Sequence, residues 1–215
     1  MKNLLTKEIR LSSHILSYLF VLFSAMALIP GYPILLCAFF TCFGIFHTFQ
    51  NGRETNDVLY TVLLPIDKKD VVKARFIFVC FIQTIAFVLA AAFTFVRMTY
   101  LAKAAPYAEN PMMNSNPVFL AWILLVFALF NVIFVGPFYK TAYKFGKPFV
   151  EFIIGSMLII GIAEVLHHVP GLEFLNTSEK LPLQFALLLA AFVIYVFATV
   201  ISCRVSQKIF EMLDL

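Results

Sequence analysis

Charged side chains are scarce in this chain: Asp, Glu, Lys and Arg make up 13% of its 215 residues, whereas hydrophobic residues make up 62%. A soluble globular domain carries about 25% charged and roughly 45–50% apolar residues, so the composition excludes an ordinary soluble fold and indicates an integral membrane protein. The cations lie in short segments between apolar runs and form no single basic face. The lipid bilayer is therefore an expected partner, and nucleic acid is not.

A phosphate-binding glycine loop is also missing. Of the eight glycines, only Gly146 precedes a lysine, and the nucleotide-binding spacing would need a glycine at position 141, where Thr141 stands. If the protein uses ATP, another chain is therefore expected to bind it, and the leading interpretation places no catalytic residue, metal or cofactor on this chain. The four cysteines have no metal-ligand spacing, and we interpret them as small core hydrophobes.

Charge is nearly absent within the apolar runs themselves, which argues against a proton-driven carrier or an ion channel. The runs are instead rich in phenylalanine, with 26 residues in the chain. These rings could form apolar walls suited to an amphipathic or lipid-like cargo. The alternative is that most of them face lipid and neighbouring helices.

The apolar runs predict an all-α integral membrane protein with six transmembrane helices in a single domain covering residues 1–215. An amphipathic segment at residues 2–13 is expected to lie in the membrane interface before the first span. Prolines, glycines and asparagines interrupt the pattern between most of the runs. The predicted spans cover residues 14–30, 34–50, 68–104, 118–138, 149–166 and 182–203.

The distribution of Lys and Arg predicts the orientation. Thirteen of these cations fall in segments on one side of the predicted membrane and three, Arg97, Lys103 and Lys180, on the other. Cations are enriched in cytoplasmic loops, so both termini are expected in the cytoplasm of a cell whose plasma membrane the chain spans.

The most highly charged segment of the chain is residues 51–75, where five cations and four acids stand between apolar runs. Its first part has an acidic start, apolar residues at helical spacing and a stop at Pro65, which predicts a short amphipathic helix over residues 53–64. The alternative is a solvated loop that joins two spans.

One group of residues imitates an enzyme site. Glu164 and His167 share a helix face, with His168 beside them, and such a pair can hold a metal in a helix bundle. A metal site normally needs three or four ligands, and His14 and His47 are predicted at the opposite membrane surface. A metal-dependent membrane hydrolase is thus an alternative function, and Glu164 and His167 are also candidates for lining an aqueous outer vestibule.

Two cytoplasmic patterns, together with the basic start Lys7-Glu8-Ile9-Arg10, resemble the small six-span permeases of ABC-2 type transporters. The first is Asn56-Asp57 followed by Leu63-Leu64-Pro65-Ile66-Asp67-Lys68 at the start of the third span. The second is Pro137-Phe138-Tyr139-Lys140 with Tyr143-Lys144-Phe145-Gly146-Lys147 before the fifth span. The resemblance extends over essentially the whole chain, although Asp67 delays the basic residue that usually follows Leu-Pro-Ile.

The resemblance implies that two permease subunits, as a homodimer or a sister heterodimer, assemble with cytosolic ABC ATPase subunits that bind ATP and Mg. The short helix would be the coupling helix that contacts the ATPase, and Tyr143, Lys144 and Lys147 would form a second cytoplasmic contact. Some similar permeases export amphipathic peptides, including phenol-soluble modulins. A passive membrane protein that gives immunity to a peptide is a further alternative. The coupling-helix contact residues are expected to be Arg53, Glu54, Asn56, Asp57, Val58, Leu59, Tyr60 and Leu63.

Overall fold

The computed structural model describes residues 1–108, 110–140, 144–177 and 180–213, and every regular element within these ranges is a helix. The predicted all-α class is confirmed. We number the main helices α1 to α8 and join segments where the helix type changes without a break. The helices are α1 (Lys2–Lys7, continued by the π-helix Glu8–Ser12), α2 (Ile15–Leu19, continued by the 3-10 helix Phe20–Leu28), α3 (Leu36–Glu54), α4 (Asp57–Val62), α5 (Lys68–Val96, continued by the π-helix Arg97–Leu101), α6 (Pro117–Phe130, continued by the π-helix Asn131–Val135 and by Gly136–Lys140), α7 (Gly146–Leu166) and α8 (Leu181–Glu211).

Four of the described helices are long and apolar enough to cross a membrane: α5 over Lys68–Leu101, α6 over Pro117–Lys140, α7 and α8. A fifth crossing results if α1 and α2, which meet at a bend of 95°, are counted as one broken span. Length and composition thus support four to five crossings, where six were predicted. The protein is membrane-embedded on this evidence.

Two helices account for the difference. Helix α2 has only 14 residues, although its 3-10 part rises about 2 Å per residue and extends the helix to about 25 Å. Helix α3 has 19 residues, but its last two turns carry His47, Gln50, Asn51, Arg53 and Glu54, which dilute its apolar character.

Helices α2 and α3 pack closely because Gly44 has no side chain. A Cβ atom at this position would stand 2.7 Å from the carbonyl oxygen of Leu16 and 2.8 Å from Cβ of Phe20. Ser17 Oγ donates a hydrogen bond of 2.8 Å to the Gly44 carbonyl, and the backbone N–H of His14 donates to Thr48 Oγ1 over 2.9 Å. Small residues at such contacts let helix backbones approach in a membrane.

The phenylalanines largely fill the space between helices. Phe46 of α3 stacks on Phe149 of α7 with ring centroids 3.8 Å apart, and Phe49 packs edge-on against Phe138 of α6 at 4.8 Å. Nine phenylalanines are among the largest fully buried side chains. Within the described chain, a large share of the rings therefore builds the core of the helix bundle instead of lining an open cavity.

A polar network crosses the middle of this apolar core. Gln83 of α5 and Asn131 of α6 exchange two hydrogen bonds of 3.0 and 3.1 Å, and the amide of Asn131 also donates to Thr199 Oγ1 of α8 over 2.9 Å. Tyr195 of α8 donates to Gln83 Oε1 over 2.9 Å. Asn131 begins the π-helical turn of α6, and such turns occur frequently at functional sites. The network fixes three helices relative to one another.

The helices differ in how much of their surface is buried inside the bundle. In the apolar window of α6, 72% is buried, so α6 is central, whereas in α8 only 11% is buried. Helix α8 presents most of its apolar side chains outward, to lipid or to another chain.

Candidate functional site

The candidate site lies at the end of the bundle where α3 ends and α5 begins, which we call the charged end. Helix α3 continues to Glu54, and Asn56 then adopts the left-handed conformation with φ of 53° before α4 begins at Asp57. Asparagine tolerates this conformation better than most residues because its short polar side chain bonds locally. The reversal at Asn56 divides the predicted helix over residues 53–64: Arg53 and Glu54 belong to α3, and the separate helix covers Asp57–Val62.

Helix α4 has an inner and an outer face. Val58 and Thr61 point inward, with 4% and 3% of their surface exposed. Four large apolar residues lie on the outside of α4 and in the turn after it, which we call the outer apolar face. They are Leu59, Tyr60, Leu63 and Leu64, with exposed fractions of 41%, 65%, 75% and 55%. Adjacent apolar residues exposed together in this way are typical of an interaction surface.

Asp57, the first residue of α4, forms a charged cluster with Lys7, Glu8 and Arg75. Lys7 Nζ lies 2.7 Å from Asp57 Oδ1, and Arg75 Nη2 donates to Asp57 Oδ2 over 2.8 Å. Arg75 Nε and Glu8 Oε2 form an ion pair at 2.6 Å whose angles fall outside those of a hydrogen bond, and Lys7 is 3.3 Å from Glu8 Oε1. Ser12 Oγ also donates to Asp57 over 3.1 Å.

The charged cluster is electrically balanced, and its Arg75–Glu8 pair is buried. Only 3% of Arg75 and 1% of Glu8 is exposed, and two positive charges face two negative ones. Burying an isolated charge is very costly, so the opposite charges of Arg75 and Glu8 stabilise each other in this position. The cluster therefore ties α1, α4 and α5 together, and α4 is fixed to the root of the longest helix.

Three further contacts add α7 and α8 to the charged end. The guanidinium of Arg53 lies 4.9 Å from the ring centroid of Phe145, next to the start of α7. Lys69 Nζ lies 2.8 Å from Glu211 Oε1, and Lys68 Nζ donates to the carbonyl of Leu213 over 2.6 Å, so the end of α8 is attached to the start of α5.

The second predicted contact region is only partly described. Lys144 and Lys147 are exposed, and Lys147 approaches Glu151 at 3.8 Å, whereas Tyr143 lies outside the described residues. Because Arg53 packs on Phe145, this region adjoins the end of α3. The two predicted contact regions thus lie on the same end of the bundle.

Glu164 and His167 lie far from the charged cluster, near the last turn of α7. Glu164 Oε2 accepts a hydrogen bond of 2.9 Å from the backbone of Met113, and the ring of His167, 8% exposed, lies 4.1 Å from that of His168. No group of three or more His, Cys, Asp or Glu side chains in the described ranges could hold a metal ion. Glu164 instead anchors the segment before α6.

Sequence reasoning singled out Asp57 but did not find its partners. Lys7, Ser12 and Arg75 are between 18 and 50 positions away along the chain. The sequence signal for the charged cluster was Glu8, an acid in an otherwise cationic segment. The sequence does not show which cation Glu8 pairs with.

A family model described as an ABC-2 family transporter protein matches residues 3–211, which is nearly the whole chain. No curated protein and no solved structure matches the chain significantly.

Proposed function

This chain belongs to the ABC-2 transporter family, and we propose that it is the membrane-spanning permease subunit of an ATP-driven exporter, with α4 as the helix that contacts a cytosolic ATPase. The observation that carries the proposal is the outer apolar face of α4, exposed beside a buried charged cluster that attaches the same helix to α1 and α5. The transport subunit itself would have no catalytic residues, and ATP and Mg would bind to the partner.

The chemistry of the outer apolar face suits a protein partner. Leu59, Tyr60 and Leu63 together supply apolar and aromatic surface, and Arg53 and Glu54 lie one turn away at the end of α3. Apolar and aromatic side chains surrounded by charged ones are the usual make-up of a protein interface.

The charged cluster supplies a route for coupling. Asp57 of α4 is bonded to Arg75 of α5, and α5 with its continuation has 34 residues, or about 50 Å. A displacement of α4 by a closing ATPase pair would move the root of α5, and the Gln83–Asn131 contact would pass that movement to α6 and α8. The transport pathway would then change its accessible side.

The arrangement of the whole complex is part of the same proposal. The chain would cross the plasma membrane six times with both termini and the charged end in the cytoplasm, and it would pair with a second permease subunit. Because many phenylalanine rings pack in the core of a single chain, we propose that the cargo pathway lies between two permease subunits. A hydrophobic or amphipathic cargo, such as an amphipathic toxin peptide, would suit the apolar outer faces of α7 and α8.

The proposal is tested by purifying the full chain with a cytosolic ABC ATPase of the same cell, and by measuring complex yield and cargo-stimulated ATP hydrolysis. Leu59→Asp and Leu63→Asp are expected to reduce co-purified ATPase at least tenfold because each places a charge on the outer apolar face. Thr55→Asp is the matched control: it adds the same charge at an exposed position in the preceding turn, and we expect less than a twofold change.

Two results would contradict the proposal at different levels. Absence of any complex between the wild-type chain and the ATPase would overturn the function as a permease subunit. Full complex formation by both Asp variants would leave the permease function intact and remove α4 as the contact.

A further inference from the structure

At the end of the bundle opposite the charged end, a polar pocket surrounds a buried arginine. The pocket has a volume of about 240 Å³ and lies between the end of α5, the segment before α6 and the segment before α8. Its walls include Arg97, Tyr107 and the polar side chains of Asn114, Asn116 and Asn176. Nothing in the proposed coupling route uses these residues.

Arg97 is the unusual member of this pocket. Only 3% of its surface is exposed, yet no carboxylate among the described residues lies within ion-pair distance of its guanidinium. The charged cluster shows the contrast, because there Arg75 is equally buried but faces two acids. A buried cation without a counter-ion is costly, so a pocket built around one favours an anion over a neutral molecule.

The groups that do contact Arg97 are neutral. Its Nη1 donates to the carbonyl of Ala27 over 2.8 Å and its Nη2 to Asn114 Oδ1 over 2.9 Å, while the Tyr107 ring centroid is 5.2 Å from the guanidinium carbon. These dipoles offset part of the charge. A guanidinium has five N–H donors in a fixed fork, so donors remain for a planar or tetrahedral oxyanion.

The position of Arg97 along α5 favours one source of that oxyanion. The 29 residues of Lys68–Val96 extend about 43 Å, and a bilayer with its headgroups is about 40–45 Å thick. If Lys68 lies at one headgroup layer, Arg97 therefore lies at the other. Tyr100, 78% exposed one turn further on, suits the same layer because tyrosines are enriched at the membrane–water interface.

We propose that this pocket binds the phosphate group of a phospholipid headgroup, with the Arg97 guanidinium as its charge partner and the asparagine side chains around it as the polar wall. The site does not depend on which end of the bundle faces the cytoplasm, because both ends of α5 reach a headgroup layer. It would hold a lipid against the junction of α2, α5 and α6, since Arg97 also bonds Ala27 of α2 and Asn114 before α6.

The test uses the detergent-purified full chain and native mass spectrometry with three probes: dioctanoylphosphatidylglycerol, dioctanoylglycerol, which has the same acyl chains without phosphate, and inorganic phosphate. The phosphatidylglycerol is expected to bind at least tenfold more tightly than the other two. Arg97→Gln is expected to lose at least tenfold in affinity, whereas Lys103→Gln, which removes an exposed cation nearby, is expected to change affinity less than twofold.

A second pair of variants keeps the test valid if Arg97→Gln does not fold. Ala102 lies exposed at the pocket wall and Ala104 lies exposed outside it. Ala102→Glu supplies a carboxylate to the pocket and is expected to lower lipid affinity at least tenfold, whereas Ala104→Glu is expected to have less than a twofold effect.

The proposal would be overturned by equal binding of the lipid with and without phosphate, by binding of inorganic phosphate as tight as that of the phospholipid, or by equal loss in the two Ala→Glu variants. Glu109 lies outside the described residues, and Glu109→Gln is expected to leave lipid affinity within twofold. A tenfold rise in that variant would identify Glu109 as the occupant of the pocket instead.

Discussion

At the scale of single residues, the bundle has a buried arginine at the charged end and another at the opposite end, and the two differ in their partners. Arg75 is neutralised within the chain by Glu8 and Asp57, whereas Arg97 has neutral partners among the described residues. The ion pairs of Arg75 join elements of the same chain. The positive charge of Arg97 is left for an anion from outside the chain to balance. Burial alone therefore does not distinguish a structural arginine from a binding one, and the partners decide.

Removing one member of the charged cluster should cost more than removing two opposite members. Arg75→Met leaves Glu8 and Asp57 with only Lys7, and breaking a buried ion network in this way costs about 3–5 kcal/mol. The double variant Arg75→Met with Asp57→Leu leaves Lys7 and Glu8 as a balanced pair, so we expect it to unfold at a higher temperature than the single variant. Thermal unfolding of the purified proteins measures both.

The exposed Arg204 provides the control for this experiment. Arg204→Met should shift the apparent unfolding temperature by less than the experimental spread. A double variant that simply adds the losses of its two single variants would show that the four charges do not act as a network.

At the scale of elements, close helix contact depends on where glycine stands. Gly44 lies against the backbone of α2, whereas a Cβ atom at Gly161 of α7 would meet nothing within 4 Å. The same substitution therefore has opposite expected effects at two helical positions.

Gly44→Ala is expected to lower stability by about 1–3 kcal/mol because α2 and α3 must separate to admit the methyl group. Gly161→Ala is expected to be neutral or to raise stability by up to about 1 kcal/mol, since alanine is the better helix former. Unfolding temperatures in one detergent compare the two, and a loss at both positions would contradict this account of the α2–α3 contact.

The long helices could be predicted from the sequence because each has an uninterrupted apolar run between proline, glycine or charged residues. The region around Asn56 could not be predicted as closely: residues 53–64 have one continuous helical pattern, but the left-handed backbone of Asn56 divides it. The partners of Asp57 could not be predicted either. Its pairing with Lys7, 50 positions away along the chain, depends on the 95° bend between α1 and α2. The sequence pattern predicts local helical structure, whereas tertiary packing determines which residues far apart along the chain become partners.

At the scale of the whole molecule, the two ends carry different chemistry. Helices α1 and α4, the start of α5 and the end of α8 lie at the charged end. The loops that surround Arg97 lie at the opposite end. The proposed function requires the first to face the cytoplasm.

Two exposed tyrosines test that orientation, since Tyr60 lies on α4 and Tyr100 beyond Arg97, with 65% and 78% of their surface exposed. In intact cells, a membrane-impermeant maleimide is expected to label Tyr100→Cys and to leave Tyr60→Cys unlabelled until the cells are opened. The wild-type chain, whose four cysteines are buried or half-buried, gives the background. Labelling of Tyr60→Cys in intact cells would place α4 outside and rule out contact with a cytosolic ATPase.

The balance of the charged cluster also has an electrical consequence. A bilayer under a potential of 100 mV acts on each elementary charge that crosses it with about 2.3 kcal/mol. Lys7 and Arg75 are matched by Glu8 and Asp57, so a displacement of these four side chains as a unit along the membrane normal transfers no net charge. The membrane voltage does no work on that movement, so under the proposed function the energy for it would come from the ATPase that contacts α4.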